Sequence, residues 1–373
     1  MNHHPIKIKL LLSLLLLITC HIFAQETDTD QSYLLLLKPE NGALSLEDKT
    51  ALISKQAAQK AILDESLEPY FSQLQIREIE CFVQQKCPSN DLTEARAFAR
   101  TEFAKAVLPF SNTEAACMQY VISGINAILL ENDLGLMARQ DWKFIKIDNS
   151  LCGGFGHTRG DYIILSQRHL DHLCQNWGDS LSNTARKKLL SGIGSLIVHE
   201  QVHGLQRNYP EVFKRLNTQY WNFVEAEIAA EEEIMINQVS NPDAPVAKWL
   251  IPNPKNPQQY YWCRTLLKEG IELPQMGKDF EDVVFRIEKE NEHYKIIKDE
   301  EGKAIRMSTE DIPFYTLSYP VKRGIDHPNE IAAYMFADYY KALVLGDDAF
   351  AEIEESAKAN TQAFLRWLLT EMP

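Results

Sequence analysis

The chain has 373 residues, a formal net charge of -14 and an apolar fraction of 45%. That is enough apolar material for a large core, which excludes a disordered or low-complexity chain as a description of the whole. The acidity disfavours nucleic acid and anionic membrane surfaces as partners, and it selects no substrate.

Residues 1–24 carry a basic start (Lys7, Lys9), a leucine-rich run over 10–18 and a small residue, Ala24, before Gln25. This is the pattern of a secretory signal peptide, and the apolar run is too short for a comfortable membrane span. The expectation is a secreted or periplasmic protein with no membrane span. Six cysteines follow (Cys81, Cys87, Cys117, Cys152, Cys174 and Cys263), an even number that fits disulfide bonds in an exported chain. Cys81 and Cys87 are near enough in sequence to close a small loop, and the pairing is otherwise open.

Helices are expected over 51–63, 67–87 and 92–107, with Pro69, Pro88 and Pro109 as punctuation. They define a helical N-terminal region, 25–110, that packs on a main domain, 111–373, or shields its cleft. Ser111 to Glu114 reads as a helix start, followed by an apolar helix through Met118, Val121, Ile122, Ile125 and Leu129. The stretch 142–147 alternates as a half-buried strand does, a glycine-rich connection spans 153–160, and 161–166 is a second strand. His157 in that connection reads as solvated, and His169 and His172 read as structural.

The stretch 183–205 mixes helix formers with apolar Leu189, Ile193, Leu196 and Ile197, so it reads as a helix. It carries His199-Glu200-Gln201-Val202-His203. Residues four apart sit one turn above each other, which puts both imidazoles on one face with room for one metal ion. Glu200 projects about 100° round the helix, beside the metal, where it can take a proton from a water that the metal acidifies. Unpaired imidazoles and a carboxylate would be costly to bury on such an apolar helix, which favours a metal site over coincidence.

Pro210 ends this helix. An apolar stripe over 213–224 runs into an acid-rich helix over 225–233, then a proline-rich irregular loop over 241–262 and a β-meander insertion over 280–307. The last strong pattern starts at Pro328. Glu330 is the only acid early in an apolar, alanine-rich and aromatic helix, where a buried carboxylate needs a cation or donors. Glu227 is the competing third ligand, although its acid-rich surroundings are equally well explained by a solvated face.

The run 199–203 resembles the zinc-binding helix of the zincin metallopeptidases. The metzincin extension is absent, since no histidine follows until His293. The resemblance is therefore to the gluzincin type, whose third ligand is a glutamate from a later helix. The segment from Pro328 to Ala337 is similar to the P-x-E-x-x-A-x-x-F-A segment of secreted bacterial zincins. What the resemblance implies is an α+β fold: a zincin-like catalytic domain with a small mixed sheet, the metal helix and a C-terminal helical lobe. The cofactor would be Zn2+, held by His199, His203 and Glu330, with Glu200 as general base and a peptide or protein as substrate. The strand carrying Tyr162, Ile163 and Ile164 would be the substrate-facing edge. Tyr334 stands where such enzymes often carry a carboxylate that orients a zinc histidine, so Asp338, Glu231 or Asn329 would have to serve. Tyr319, Tyr315 and His327 are candidates for an oxyanion donor. The same metal site would also suit a zinc amide hydrolase with a non-protein target, or an inactive zinc-stabilised binding protein.

Overall fold

The computed structural model describes residues 33–35 and 50–373, apart from Asp179 and Ala230. The signal-peptide reading lies outside the described residues. The chain enters with β1 (Tyr33–Leu35), antiparallel to β2 (Thr50–Ile53). Then come α1 (Lys55–Ala61), α2 (Ile76–Val83), α3 (Leu92–Lys105) and β3 (Val107–Leu108). The expected helix over 51–63 thus gives up its first turn to a strand, because Thr50, Ala51 and Leu52 pair in parallel with β4 (Trp142–Ile147). The expected helix over 67–87 forms only from Ile76. The preceding turns fold Tyr70, Phe71 and Leu74 into the core, with both rings set edge-on against Phe103.

Ser111 and Glu114 form a reciprocal capping box at the start of α4 (Asn112–Glu131), which α5 (Gly135–Ala138) follows. After β4 come β5 (His157–Arg159), β6 (Tyr162–Ser166), α6 (Gln167–Gln175) and α7 (Asn183–Leu189). A single π-helical turn, Leu190–Gly194, joins α7 to α8 (Ser195–Asn208), and such turns often interrupt helices at functional sites. The first sheet has the order β1-β2-β4-β6-β5, with β3 on β4; β2, β4 and β6 run parallel and the other three antiparallel.

The stretch expected to be a half-buried strand is buried on both faces. Trp142, Phe144, Ile163 and Leu165 pack with α4 and α8, while Ile145, Ile147 and Ile164 pack with the residues of α1 to α3. The parallel centre of this mixed sheet needs cover on both sides. Residues 50–110 supply that cover on one side and add two strands to the sheet itself, so this part of the chain is not helical throughout. The buried Lys146 ammonium bonds both Glu114 oxygens, at 2.8 and 3.0 Å.

Next come α9 (Pro210–Arg215), β7 (Val224–Glu225), α10 (Glu232–Asn237), β8 (Trp249–Pro252) and β9 (Gln259–Leu267). The chain ends with β10 (Phe280–Glu290), β11 (His293–Ile296), β12 (Arg306–Ser308), α11 (Pro313–Thr316), α12 (Pro328–Leu345) and α13 (Lys358–Glu371). The second sheet is wholly antiparallel, β11-β10-β9-β8-β7 with β12 on β10. Two expectations are corrected here. The acid-rich stretch is helical only from Glu232, because Val224 and Glu225 pair with Leu250 and Trp249. The proline-rich loop is irregular over 241–248 and 253–258 but carries β8 and the start of β9, and the 280–307 meander is the outer part of a sheet that begins at β7. In each case tertiary pairing outweighs a weak local preference.

Helix α12 packs along α8 and ends at Gly346, whose φ of +79° closes the helix in the left-handed region. Among the described residues no helix is long and apolar enough to cross a membrane. The six cysteines after residue 24 are thiols, and burial pushes Cys81 up to about 12 and Cys87 to about 11. Cys81 and Cys87 close no loop. The Cys117 and Cys174 sulfurs face each other at 3.4 Å, beyond bonding distance.

Candidate metal centre

Helix α8 presents His199 and His203 one turn apart, and their Nε2 atoms lie 3.2 Å from each other. The first turn of α12 brings Glu330 between them, with Oε2 3.5 Å from His199 Nε2 and Oε1 3.6 Å from His203 Nε2. An ion with bonds of 2.0 to 2.2 Å in tetrahedral geometry sets its ligand atoms about 3.3 to 3.6 Å apart. The two nitrogens and the carboxylate, whose oxygens each face one of the histidines, stand close to that separation. Two neutral imidazole nitrogens and a carboxylate are the donor set of a zinc site that keeps a position for water.

Protonation suits this role. Burial drives His203 down to about 4, against the opposing pull of Glu330. Burial pulls the Glu330 carboxyl upward, but the adjoining His203 and His199 rings, with the Asn241 amide, overcome it and hold Glu330 at about 2. His203 Nδ1 is 2.9 Å from Gln206 Oε1, a bond that fixes the tautomer with Nε2 free for a metal. The Gln206 amide in turn donates to the Asn329 carbonyl at 2.9 Å. So the group that orients His203 is Gln206 on α8, one turn on, with Asn329 contributing only its main chain. Glu231 pairs with Lys298 instead. Asp338 lines the cavity, and no described residue bonds His199 Nδ1.

Glu200 stands beside the triad. Thr158 on β5 donates through its hydroxyl, which lies 2.9 Å from Glu200 Oε2 and 2.8 Å from the Glu200 carbonyl. Burial first, then the charges of Asp243 and Glu330, raise the Glu200 carboxyl well above the usual carboxylate range, against Thr158 and Arg207. His199, Glu200 and Glu330 open onto a cavity of about 610 Å³, while His203 lies behind them fully buried. One wall is apolar, with Phe155, Leu196, Met276 and Phe280, and another carries Arg323, Asp338 and Lys341. The Tyr334 ring, one turn after Glu330, packs 4.3 Å from the His199 ring, and the Arg323 guanidinium lies 4.3 Å from the Tyr334 ring. Gly324 makes that approach possible. Its φ is +65°, and a Cβ there would come within 2.6 Å of Tyr334 and 2.8 Å of Glu330.

Comparison with family models, curated proteins and solved structures gives no match for this chain. The reading of the site therefore rests on its own geometry.

The structure brings His199, Glu200, His203 and Glu330 together and leaves other candidates apart. Glu227 is exposed on the segment after β7 and takes no part. Tyr162, Ile163 and Ile164 are not an edge: β6 pairs with β4 on one side and β5 on the other, so both of its hydrogen-bonding edges are used. The outer strand is β5. Tyr319 packs on Trp221 and Tyr315 in the core, away from the cavity lining. His327 is the buried N-cap of α12, its Nδ1 accepting the Asn329 N–H at 3.1 Å. Tyr315 donates to the Ile325 carbonyl. None of the three lines the cavity as an oxyanion donor. His157 is buried on β5 rather than solvated, with Nδ1 3.1 Å from the Phe155 carbonyl.

Sequence reasoning missed Thr158, Asn241, Asp243 and Arg323. Gln206 left a signal, since it sits three residues after His203 on the same helix face. The others come from separate loops and a short strand with no pattern of their own.

Proposed function

We propose that this chain is a zinc-dependent metallopeptidase of the gluzincin type, using His199, His203 and Glu330 as ligands and Glu200 as general base. The observation that carries the reading is the convergence of two imidazole nitrogens, 3.2 Å apart, on the two oxygens of one carboxylate at 3.5 and 3.6 Å, with the Glu200 carboxylate beside them and the group open to one cavity. Zn2+ bound there supplies a Lewis acid for a substrate carbonyl and lowers the pKa of coordinated water towards about 7.

The chain's own groups do the rest. Glu200, oriented by the Thr158 hydroxyl, accepts the proton of the attacking water and passes it to the leaving amine. Burial and the charges of Asp243 and Glu330 raise the Glu200 carboxyl, and a cation held by the neighbouring ligands would oppose that rise. Gln206 and Asn241 hold two of the ligands in place, and the cavity walls shelter the site. Arg323 and Tyr334, which line the cavity, are the cationic and phenolic candidates to meet a substrate carbonyl oxygen, in place of Tyr319 and His327.

The test is Glu200→Gln in the full chain. One zinc per chain is expected in both proteins, with cleavage of an unstructured protein substrate falling by about 10²- to 10⁴-fold in the variant. A wild-type chain that holds zinc and cleaves neither protein nor peptide libraries would refute peptidase action. A chain that takes up no zinc would refute the site.

A further inference from the structure

The cavity that opens at the metal centre continues along α12. Glu330, Tyr334, Ala337, Asp338 and Lys341 line it at spacings of one to four residues, so one face of the helix forms a wall for about three turns. The facing wall runs back along α8 and the π-helical turn before it, through His199, Leu196, Ser195, Gly192 and Ser191. The two walls are antiparallel. Glu330 meets His199 and His203, the Ser195 hydroxyl donates to the Ala337 carbonyl at 3.2 Å, and Lys187 donates to the Leu345 carbonyl at 3.0 Å. The result is a trough with the metal centre at one end and Lys341 towards the other. The helical rise puts about 16 Å between Glu330 and Lys341, the span of about five residues of extended peptide.

Charge is divided along this trough. Glu200, Asp243, Asp326 and Glu330 gather at the metal end, where the charge of Glu330 reaches the other three. The cations lining the cavity are Arg323, against the Tyr334 ring, and Lys341 further along. His169 also lines it, but burial pushes its ring down to about 4, which leaves it uncharged at about pH 7. Arg323 and Lys341 are exposed, and neither has a carboxylate within ion-pair distance among the described residues. That includes Asp347, Asp348 and Glu352 of the cavity on the far side of Lys341. Half-buried Asp338 is near enough to feel both cations: burial raises its carboxyl, against the pull of Arg323 and Lys341. Even with Asp338 ionised, this part of the wall keeps a net positive charge. In a chain of net charge -14, two such cations beside a metal centre offer an anion a place that the protein itself leaves open.

We infer that Lys341, backed by Arg323, receives a carboxylate of the substrate about three to five residues from the scissile bond. The inference rests on the peptidase reading above and deepens it: the favoured substrates are peptides with an acidic side chain, or a free terminal carboxylate, at that reach. The acids at the metal end repel the same group, so it also sets the register of the peptide in the trough.

The test uses the zinc-loaded full-length protein and quenched peptides in matched pairs. One set of pairs exchanges Glu for Gln at successive positions on each side of the cleaved bond; another exchanges a C-terminal acid for its amide. kcat/KM should favour the carboxylate by about 3- to 10-fold in one set, mainly through KM, and the preference should fade at about 1 M salt. A preference in the first set assigns the carboxylate to a side chain, one in the second to the chain terminus, and either supports the inference. Lys341→Glu should reverse the order within the responding pair, which a loss of helix stability alone would not do. Cleavage without carboxylate preference in either set, or a preference that survives Lys341→Glu, overturns this inference and leaves the peptidase reading standing. A wild type that cleaves no peptide removes both.

Discussion

Zinc should stabilise this fold by an amount that Glu330 controls. Glu330→Gln keeps the shape of the side chain and an oxygen for the Asn241 amide, and it removes the anionic corner of the triangle. Binding to the folded state alone stabilises by RT ln(1 + [Zn]/Kd), which is about 2.7 kcal/mol at free zinc 100 times Kd. For a chain of this size that corresponds to a rise in Tm on the order of 5 °C. If the loss of Glu330 weakens binding about 100-fold, the same free zinc leaves roughly 0.4 kcal/mol, less than about 1 °C. The assay is differential scanning calorimetry of both proteins, each in chelator and in buffered zinc under reducing conditions. The cysteines of the unfolded chain will also bind zinc, but equally in both proteins, so the difference between the two shifts isolates the site. Equal zinc-dependent shifts would show that Glu330 is not a ligand, and no shift in the wild type would show that the triad holds no zinc.

Two further outcomes are expected away from the metal. Lys146→Met leaves the Glu114 carboxylate buried with only Ser111 N–H and Gln167 as donors, and should cost about 3–5 kcal/mol in denaturant unfolding. The double variant with Glu114→Gln should regain most of it, and a cost under about 1 kcal/mol would show that this pair is solvated. Burial drives His327 down to about 3 from an ordinary 6.5, so its ring stabilises the fold above 6.5 and that contribution drains away as pH falls from 6.5 towards 3. His327→Asn, which can still cap Asn329, should flatten the acid limb of the stability profile; an unchanged slope would refute the assignment.

The parts legible in the sequence share one property: they are written along a single helix. The spacing of His199 and His203 needs only the helical period to place both rings on one face. Glu330 stands out because a lone acid in an apolar helix has nowhere to go except towards a cation or a donor. The mispredicted parts are those where the chain's partner lies far off in sequence. Residues 51–53 have helix-compatible side chains and become a strand because β4 offers a parallel edge. Glu227 has the same local spacing as Glu330, and pairing of the adjacent β7 with β8 takes its segment out of the helix on which that spacing had meaning. Tyr162 to Ile164 read as an edge until β5 turns back and covers them.

By itself the sequence determined that two histidines and an acid share one turn of a single helix, and it offered Glu330 and Glu227 as candidates for a third donor, because each depends on local periodicity and on the cost of burying charge. Only the tertiary structure decided which glutamate reaches the histidines, which strand lies outermost, and that Asp243 arrives beside Glu200 from a distant loop. Those are matters of how helices and sheets pack, where contacts span a hundred residues and leave no spacing to read.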